Sequence, residues 1–288
     1  IRVDGEMMPK QKVVNFVDKH REKMKELDLS FFEMTAAMAF DYFDQSDVEV
    51  AIIETGLGGR LDATNIITPI LSVVTNIGME HTEFLGDTIE KIASEKAGII
   101  KKSIPVVVGE SSEAYDAIFE ARAAELNSRV IYAEKEFVLH GVEHFDNHNQ
   151  HFSLERARDQ RNYELDIDLL GDYQRHNVVT ACAAVDYLAE QTPLTISRRA
   201  FREGLATVAQ NTNLMGRWQV LAQEPYTVCD TGHNADGLRY VVSQLTALEC
   251  DRLFCVMGFS KEKDLDKIMP MLPQSAHYIF TRAAIDRA

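Results

Sequence analysis

Apolar runs alternate with polar loops along this chain in a strand–loop–helix order. Lys10 to Leu27 sets Val13, Val14, Phe16, Val17, Met24 and Leu27 on one helical stripe, with Pro9 suited to the first turn. A second, apolar helix is expected from about Met34 to Phe43, just after Ser30-Phe31-Phe32-Glu33. The β-branched run Val48, Val50, Ile52, Ile53 predicts a buried strand that ends at Glu54 and opens into Thr55-Gly56-Leu57-Gly58-Gly59-Arg60. Ile70 to Thr75 predicts the next strand, and Asp87 with Glu90 reads as a capping box for a helix running to about Gly98. A strand at Ile104–Gly109, a helix at Glu113–Leu126 and a strand at Arg129–Tyr132 continue the alternation, which implies a mostly parallel sheet covered on both faces.

Phe137 to Leu169 switches to a two-residue period, an antiparallel excursion with a turn at Asp146-Asn147. An Ala/Val-rich helix, Val178 to Leu188, and a helix from Ser197 to Val208 lead to a polar stretch, Ala209 to Asn213, that reads as a linker. The pattern then restarts. Strands at Arg217–Leu221 and Tyr226–Asp230, a helix to about Leu248, a strand at Leu253–Met257, the loop Gly258-Phe259-Ser260-Lys261 and a helix to Leu272 predict a second α/β domain from residue 214.

Composition narrows the class. The 288 residues, 45% hydrophobic and 26% charged, suit a soluble globular protein, and no apolar run is long enough to cross a bilayer, which argues against a membrane partner. A net charge of -15 argues against a nucleic-acid partner, because it offers no general attraction to phosphate backbones. A local basic site could still hold a small anion. Cys182, Cys229, Cys250 and Cys255 lack CxxC spacing, which suggests reduced thiols in a cytoplasmic protein and no zinc site. A start at Ile1 and a stop just after the strand-like Ile279–Arg282 read as a trimmed chain.

Ligands of open α/β sheets bind beyond the carboxyl ends of strands, which draws attention to Glu54. The glycines after it let the backbone approach a ligand, Arg60 offers a positive fork, and Asp62 and Asn65 offer polar contacts. His81 follows another strand end, on the same edge if the two strands are parallel. Lys96, in the last turns of its helix, is a solvated lysine unless buried. Phe31 and Phe32 are either core or a stacking wall for a flat ligand. His140, His144, His148 and His151 fit an exposed hairpin better than a metal site. Asp230-Thr231-Gly232-His233-Asn234 forms a second acid-bearing strand end.

In order, ETGLGGRLDATN, GMEHTEFLG, SEKAGI, Gly171 to Asn177, GRWQ and DTGHN resemble the bifunctional dihydrofolate synthase/folylpolyglutamate synthase family of the Mur ligase superfamily. The resemblance implies a Mur-ligase-like central P-loop-type ATPase domain, residues 1–213, and a smaller C-terminal Rossmann-like α/β domain, 214–288, both truncated. It implies ATP-dependent addition of L-glutamate to dihydropteroate or a folate through an acyl phosphate, in a cytoplasmic monomer. Glu54 and His81 would hold magnesium (Mg2+), and Lys96 matches the family's carbamylated lysine. Asn177, Arg217 and Asp230 would contact ATP, with His233 near the incoming glutamate and phosphate. Ser30, Phe31, Phe32, Glu33, Leu61, Asp62 and Ala63 would contact the pteroate. Domain closure would bring Arg217, Asp230 and His233 to the metal edge.

The sequence departs from the family at Thr231, Gly232 and Ala235, usually glycine, alanine and proline, and it holds no GxxxxGK[ST] phosphate loop. As written the chain is therefore expected to bind ATP poorly, the intact protein being the enzyme. A non-catalytic pseudoenzyme and a cell-wall Mur ligase are the alternatives; LGGRLDATN argues against the second.

Overall fold

The computed structural model describes residues 1–144, 148–260, 265–282 and 284, and the chain forms two compact units, 1–132 and 133–288. The first unit opens with a short antiparallel ladder, β1 (Arg2–Val3) on β2 (Glu6–Met7), and a helix α1 (Lys10–Glu26). Of the apolar stripe on α1, Phe16 and Met24 are buried while Val14 and Leu27 stay exposed. Helix α2 (Phe31–Gln45) starts three residues earlier than its apolar pattern indicates, because Ser30 and Glu33 form a capping box.

A parallel three-stranded sheet follows in the order β3 (Ser72–Val74), β4 (Val106–Val108), β5 (Val130–Tyr132). Between its strands run α3 (Thr82–Leu85) with α4 (Ile89–Ala97), and α5 (Asp116–Glu125). All three β4 valines are buried, and Val106 and Val108 join Ala93, Ala97 and Ile100 of the α4 region and Phe119 of α5 in the unit's core. That is the pattern expected of a parallel strand covered by helices. The cap of α4 is Thr88, not Asp87; Asp87 instead pairs with Lys91 at 2.7 Å.

Val48–Glu54 is not a strand. Among the described residues the segment joins no ladder, and Ile52 is 93% exposed. Its β-branched residues favour extended backbone, yet a strand exists only by pairing with a neighbour, and among the described residues β3 pairs with β4 alone.

The second unit is built on an antiparallel sheet in the order β6 (Phe137–His144), β7 (Gln150–Arg156), β8 (Arg161–Ile167), which follows the short helix α6 (Ala133–Glu136). Phe152, Leu154, Leu165 and Ile167 supply its buried face, as the two-residue period predicts. The Asp146-Asn147 turn lies outside the described residues. His140 faces Glu155 and His151 lies between Glu164 and Asp166, so these two hairpin histidines pair with carboxylates.

Helix α7 (Gln174–Gln191) is joined to the sheet by charge. Arg156, only 9% exposed, reaches Asp186 at 2.5 Å and Glu190 at 3.1 Å on α7, and Asp159 at 2.5 Å. Next come α8 (Arg198–Ala206), capped by Ser197, and α9 (Val208–Thr212), a short helix where the polar composition suggests a linker. An antiparallel pair, β9 (Gln219–Gln223) and β10 (Tyr226–Cys229), leads to α10 (Ala235–Thr246). Strand β11 (Phe254–Met257) and, after α11 (Leu265–Ile268), strand β12 (His277–Phe280) pair in parallel; Lys261 lies outside the described residues. The expected division at 213/214 falls inside this unit, between α9 and β9.

Candidate active site

Asp62 organises the glycine loop of the first unit. Its Oδ2 accepts the backbone N–H groups of Gly56 (2.8 Å) and Leu57 (2.9 Å), and its Oδ1 accepts the N–H (2.9 Å) and hydroxyl of Thr64. Burial pushes the Asp62 carboxyl up, but the bonds from Thr64, Leu57 and Gly56 outweigh it and hold the group below the ordinary carboxylate range.

The loop docks on the end of α4. The Arg60 N–H donates to the Glu95 carbonyl (2.8 Å) and its guanidinium to Glu95 Oε1 (2.9 and 3.1 Å). Asn65 Nδ2 donates to the carbonyls of Arg60 (3.1 Å) and Gly98 (3.0 Å). The approach is close enough that a Cβ on Gly98 would lie 2.3 Å from Cβ of Arg60. ETGLGGRLDATN and SEKAGI, whose contacting residues lie 33 and 35 positions apart in the chain, therefore form one block, and Lys96 sits in it beside Glu95.

Around this block the other sequence-derived residues take distinct positions. The ring of Phe32 lies over Gly56, where a Cβ would come within 2.4 Å of Cζ, while Phe31 is 83% exposed. Ser30 Oγ accepts the Glu33 N–H (3.2 Å) and Glu33 Oε2 accepts the Ser30 N–H (2.7 Å), so both act on the start of α2. Leu61 is exposed and Ala63 half-buried. Glu54 and His81 are exposed, His81 at the start of α3 with φ of 50°, and Lys96 is half-buried.

Among the described residues no three His, Cys, Asp or Glu side chains gather into a metal cage. An exposed carboxylate such as Glu54 suits magnesium, which keeps waters and shares its shell with substrate phosphates; the imidazole of His81 suits it less.

In the second unit, Asp230 closes the β10 end. Its Oδ2 accepts the Tyr173 hydroxyl (2.8 Å) and the Trp218 N–H (2.7 Å), and its Oδ1 accepts the Gly232 N–H (2.7 Å). The exposed Arg217 guanidinium donates to the hydroxyl of Thr231, and the Thr231 N–H donates to Gly216 O (2.9 Å). His233 Nδ1 donates to the Thr231 carbonyl (2.9 Å), which leaves Nε2 as the acceptor nitrogen of the neutral ring. Asn234 caps α10 by accepting the Gly237 N–H (2.6 Å). Asn177, on the first turn of α7, is exposed and donates to Gln174 Oε1 (2.9 Å). Asp230 and His233 thus share one turn, and Arg217 reaches it from before β9 through Thr231. Sequence reasoning missed Tyr173 and Thr231 as its supports; a hydroxyl inside the Gly171–Asn177 motif was the available signal for the first.

Residues 21–185 match the Mur ligase middle domain and residues 216–288 the Mur ligase glutamate ligase domain. The chain is 32% identical to a folylpolyglutamate synthase of Lacticaseibacillus casei over 92% of this chain and 62% of that protein. It is 32% identical to a dihydrofolate synthase/folylpolyglutamate synthase of Haemophilus influenzae over 89% and 58% of the two. It thus spans about three-fifths of the length of both relatives. A solved FPGS–AMPPCP–folate complex superposes with a TM-score of 0.81 at 30% identity, covering 94% of this chain and 69% of that one. The middle-domain match takes in more than half of the chain, on an α/β framework that carries the loop, helix and turn motifs in order, and the chain belongs to the Mur ligase family, in its folylpolyglutamate synthase branch.

Proposed function

We propose that the protein is an ATP-dependent ligase that joins L-glutamate to dihydropteroate, a folate, or both. A carboxylate oxygen of the acceptor attacks the γ-phosphorus of ATP and ADP leaves. The glutamate amine then attacks the acyl carbon of the acyl phosphate, phosphate leaves, and an amide remains. The observation that carries this reading is the docking of the 54–65 loop on α4, which joins the pteroate-loop residues Leu61, Asp62 and Ala63 to the turn that bears Lys96.

Phe32, with its ring on the loop backbone, is the platform for a flat pterin, and exposed Phe31 is the second stacking surface. Ser30 and Glu33 fix the helix start that carries both rings, and Asp62 fixes the loop. Arg217, oriented by Thr231, steadies phosphate oxygens; Asp230 accepts from ribose hydroxyls; Asn177 offers an amide to the nucleotide. His233 presents Nε2 to accept a proton beside the incoming glutamate. Glu54 and His81 would hold magnesium, Lys96 as a carbamate would add an anionic oxygen, and the chemistry supplied with the ion bound would be neutralisation of charge on the transferring phosphoryl group. We assign the first role set to residues 1–213 and the second to 214–288, with Asn177 the exception, in a cytoplasmic monomer without nucleic-acid or membrane partners. The four free cysteines and the net charge of -15 support that setting.

Mass spectrometry of products from the full-length protein tests the reaction. Dihydropteroate or tetrahydrofolate, incubated with ATP and L-glutamate, is expected to gain the mass of one glutamyl residue. An unchanged acceptor in both incubations would overturn the assignment.

A further inference from the structure

Asp230 is held by three donors from three places in the chain: the Tyr173 hydroxyl, the Trp218 N–H and the Gly232 N–H. A carboxylate offers about four acceptor directions. Among the described residues, Oδ2 takes two of these donors and Oδ1 one, so the position still open is on Oδ1.

Two of the donors are backbone groups, Gly232 of the turn itself and Trp218 just before β9; Tyr173 is the one that reaches in with its side chain. Its segment is clamped from two sides. Gln150 of β7 donates to the carbonyls of Leu169 (2.8 Å) and Gly171 (3.2 Å). Gln244 of α10 donates to the Leu170 carbonyl (2.7 Å) and accepts the Asp172 N–H (3.0 Å). The Tyr173 ring folds over Gly171, where a Cβ would lie 2.5 Å from Cζ, and meets Tyr240 edge-on at 6.3 Å. The hydroxyl is thus delivered by a rigid mount. Burial, and then the bond to Asp230, push the phenol far above its ordinary pKa, so it stays a donor.

We propose that Tyr173 is a positioning residue for nucleotide binding, its hydroxyl holding the Asp230 carboxylate so that Oδ1 faces a ribose-type hydroxyl. The inference rests on the reading of Asp230 as a nucleotide contact. Tyr173 touches no reacting atom and acts through Asp230. Tyr173→Phe keeps the ring and its packing and removes the donor alone.

Steady-state kinetics of the full-length protein test this with Tyr173→Phe, Asp230→Asn and the double variant. A lost bond to a charged group, converted at about 1.4 kcal/mol per tenfold, raises KM for ATP about tenfold in Tyr173→Phe. Turnover and KM for glutamate are expected to stay within about twofold, because the hydroxyl acts on nucleotide binding alone. The double variant is expected to be no worse than Asp230→Asn, since the two groups act as one. Unchanged KM for ATP in Tyr173→Phe, beside a raised KM in Asp230→Asn, would overturn the inference and leave the Asp230 assignment standing. An unchanged KM in Asp230→Asn would overturn both. A melting temperature that falls in Tyr173→Phe with no change in KM would make the bond structural only and also overturn it.

Discussion

At the residue scale, several side chains that resemblance attaches to a ligand do local structural work. Ser30 and Glu33 stand in the S-x-x-E spacing of a capping box, a signal present in the sequence itself. Ser30→Ala is expected to cost about 1 kcal/mol of stability, the usual worth of such a cap. Thermal or urea denaturation checks it, and an unshifted midpoint would deny the cap its role. His151 is the clearest titrating group. A bond to Asp166 raises its pKa, burial opposes, and Glu164 raises it further, leaving the net above the ordinary histidine value. Because the folded value is raised, His151 contributes stability in full below the unfolded value. That contribution fades as pH rises through the folded value. An NMR titration of the ring is expected to give a midpoint above that of an unperturbed histidine; one at or below it would contradict the pairing. Neither carboxylate could be assigned from sequence, since cross-strand partners depend on register.

At the element scale, legibility followed the source of each signal. The parallel strands, the antiparallel excursion and most helices were visible as periodicity, because burial on one or both faces writes it into the chain. Val48–Glu54 carries a strand's composition without a strand's partner, and pairing is not a local property. Thr88 took the cap from Asp87, a one-residue ambiguity that two adjacent capping types invite. The docking of the glycine loop on α4 was legible only as two motifs, not as their contact. It makes Gly98→Ala a sharp test, because the new Cβ meets the Arg60 backbone rather than a yielding side-chain tip. That variant is expected to lose ligase turnover at least tenfold through displacement of the loop; turnover like the wild type would contradict the block. On the other unit, Arg156→Met is expected to destabilise by about 2 kcal/mol or more, since Asp186 and Glu190 on α7 lose their buried partner. Chemical denaturation measures it, and a neutral result would mean that packing alone joins α7 to the sheet.

At the scale of the whole molecule, the order of motifs and the family match agree on an α/β ligase framework, while the chain covers about three-fifths of the relatives it resembles. Candidate chemistry concentrates in two places: the loop–helix block with Glu54, His81 and Lys96 nearby in sequence, and the Asp230–His233 turn that Arg217 reaches through Thr231. In the full-length protein, Glu54→Ala and Lys96→Ala are expected to lower turnover by orders of magnitude while leaving melting temperatures nearly unchanged, as exposed or half-buried groups should. The most direct measurement is phosphate release by the full-length protein with ATP, L-glutamate, and dihydropteroate or tetrahydrofolate offered separately. Release that requires all three components is expected with at least one acceptor, dihydropteroate marking first addition and tetrahydrofolate marking chain extension. Release that ignores glutamate and acceptor, or none with either, would contradict the assignment of a glutamate ligase.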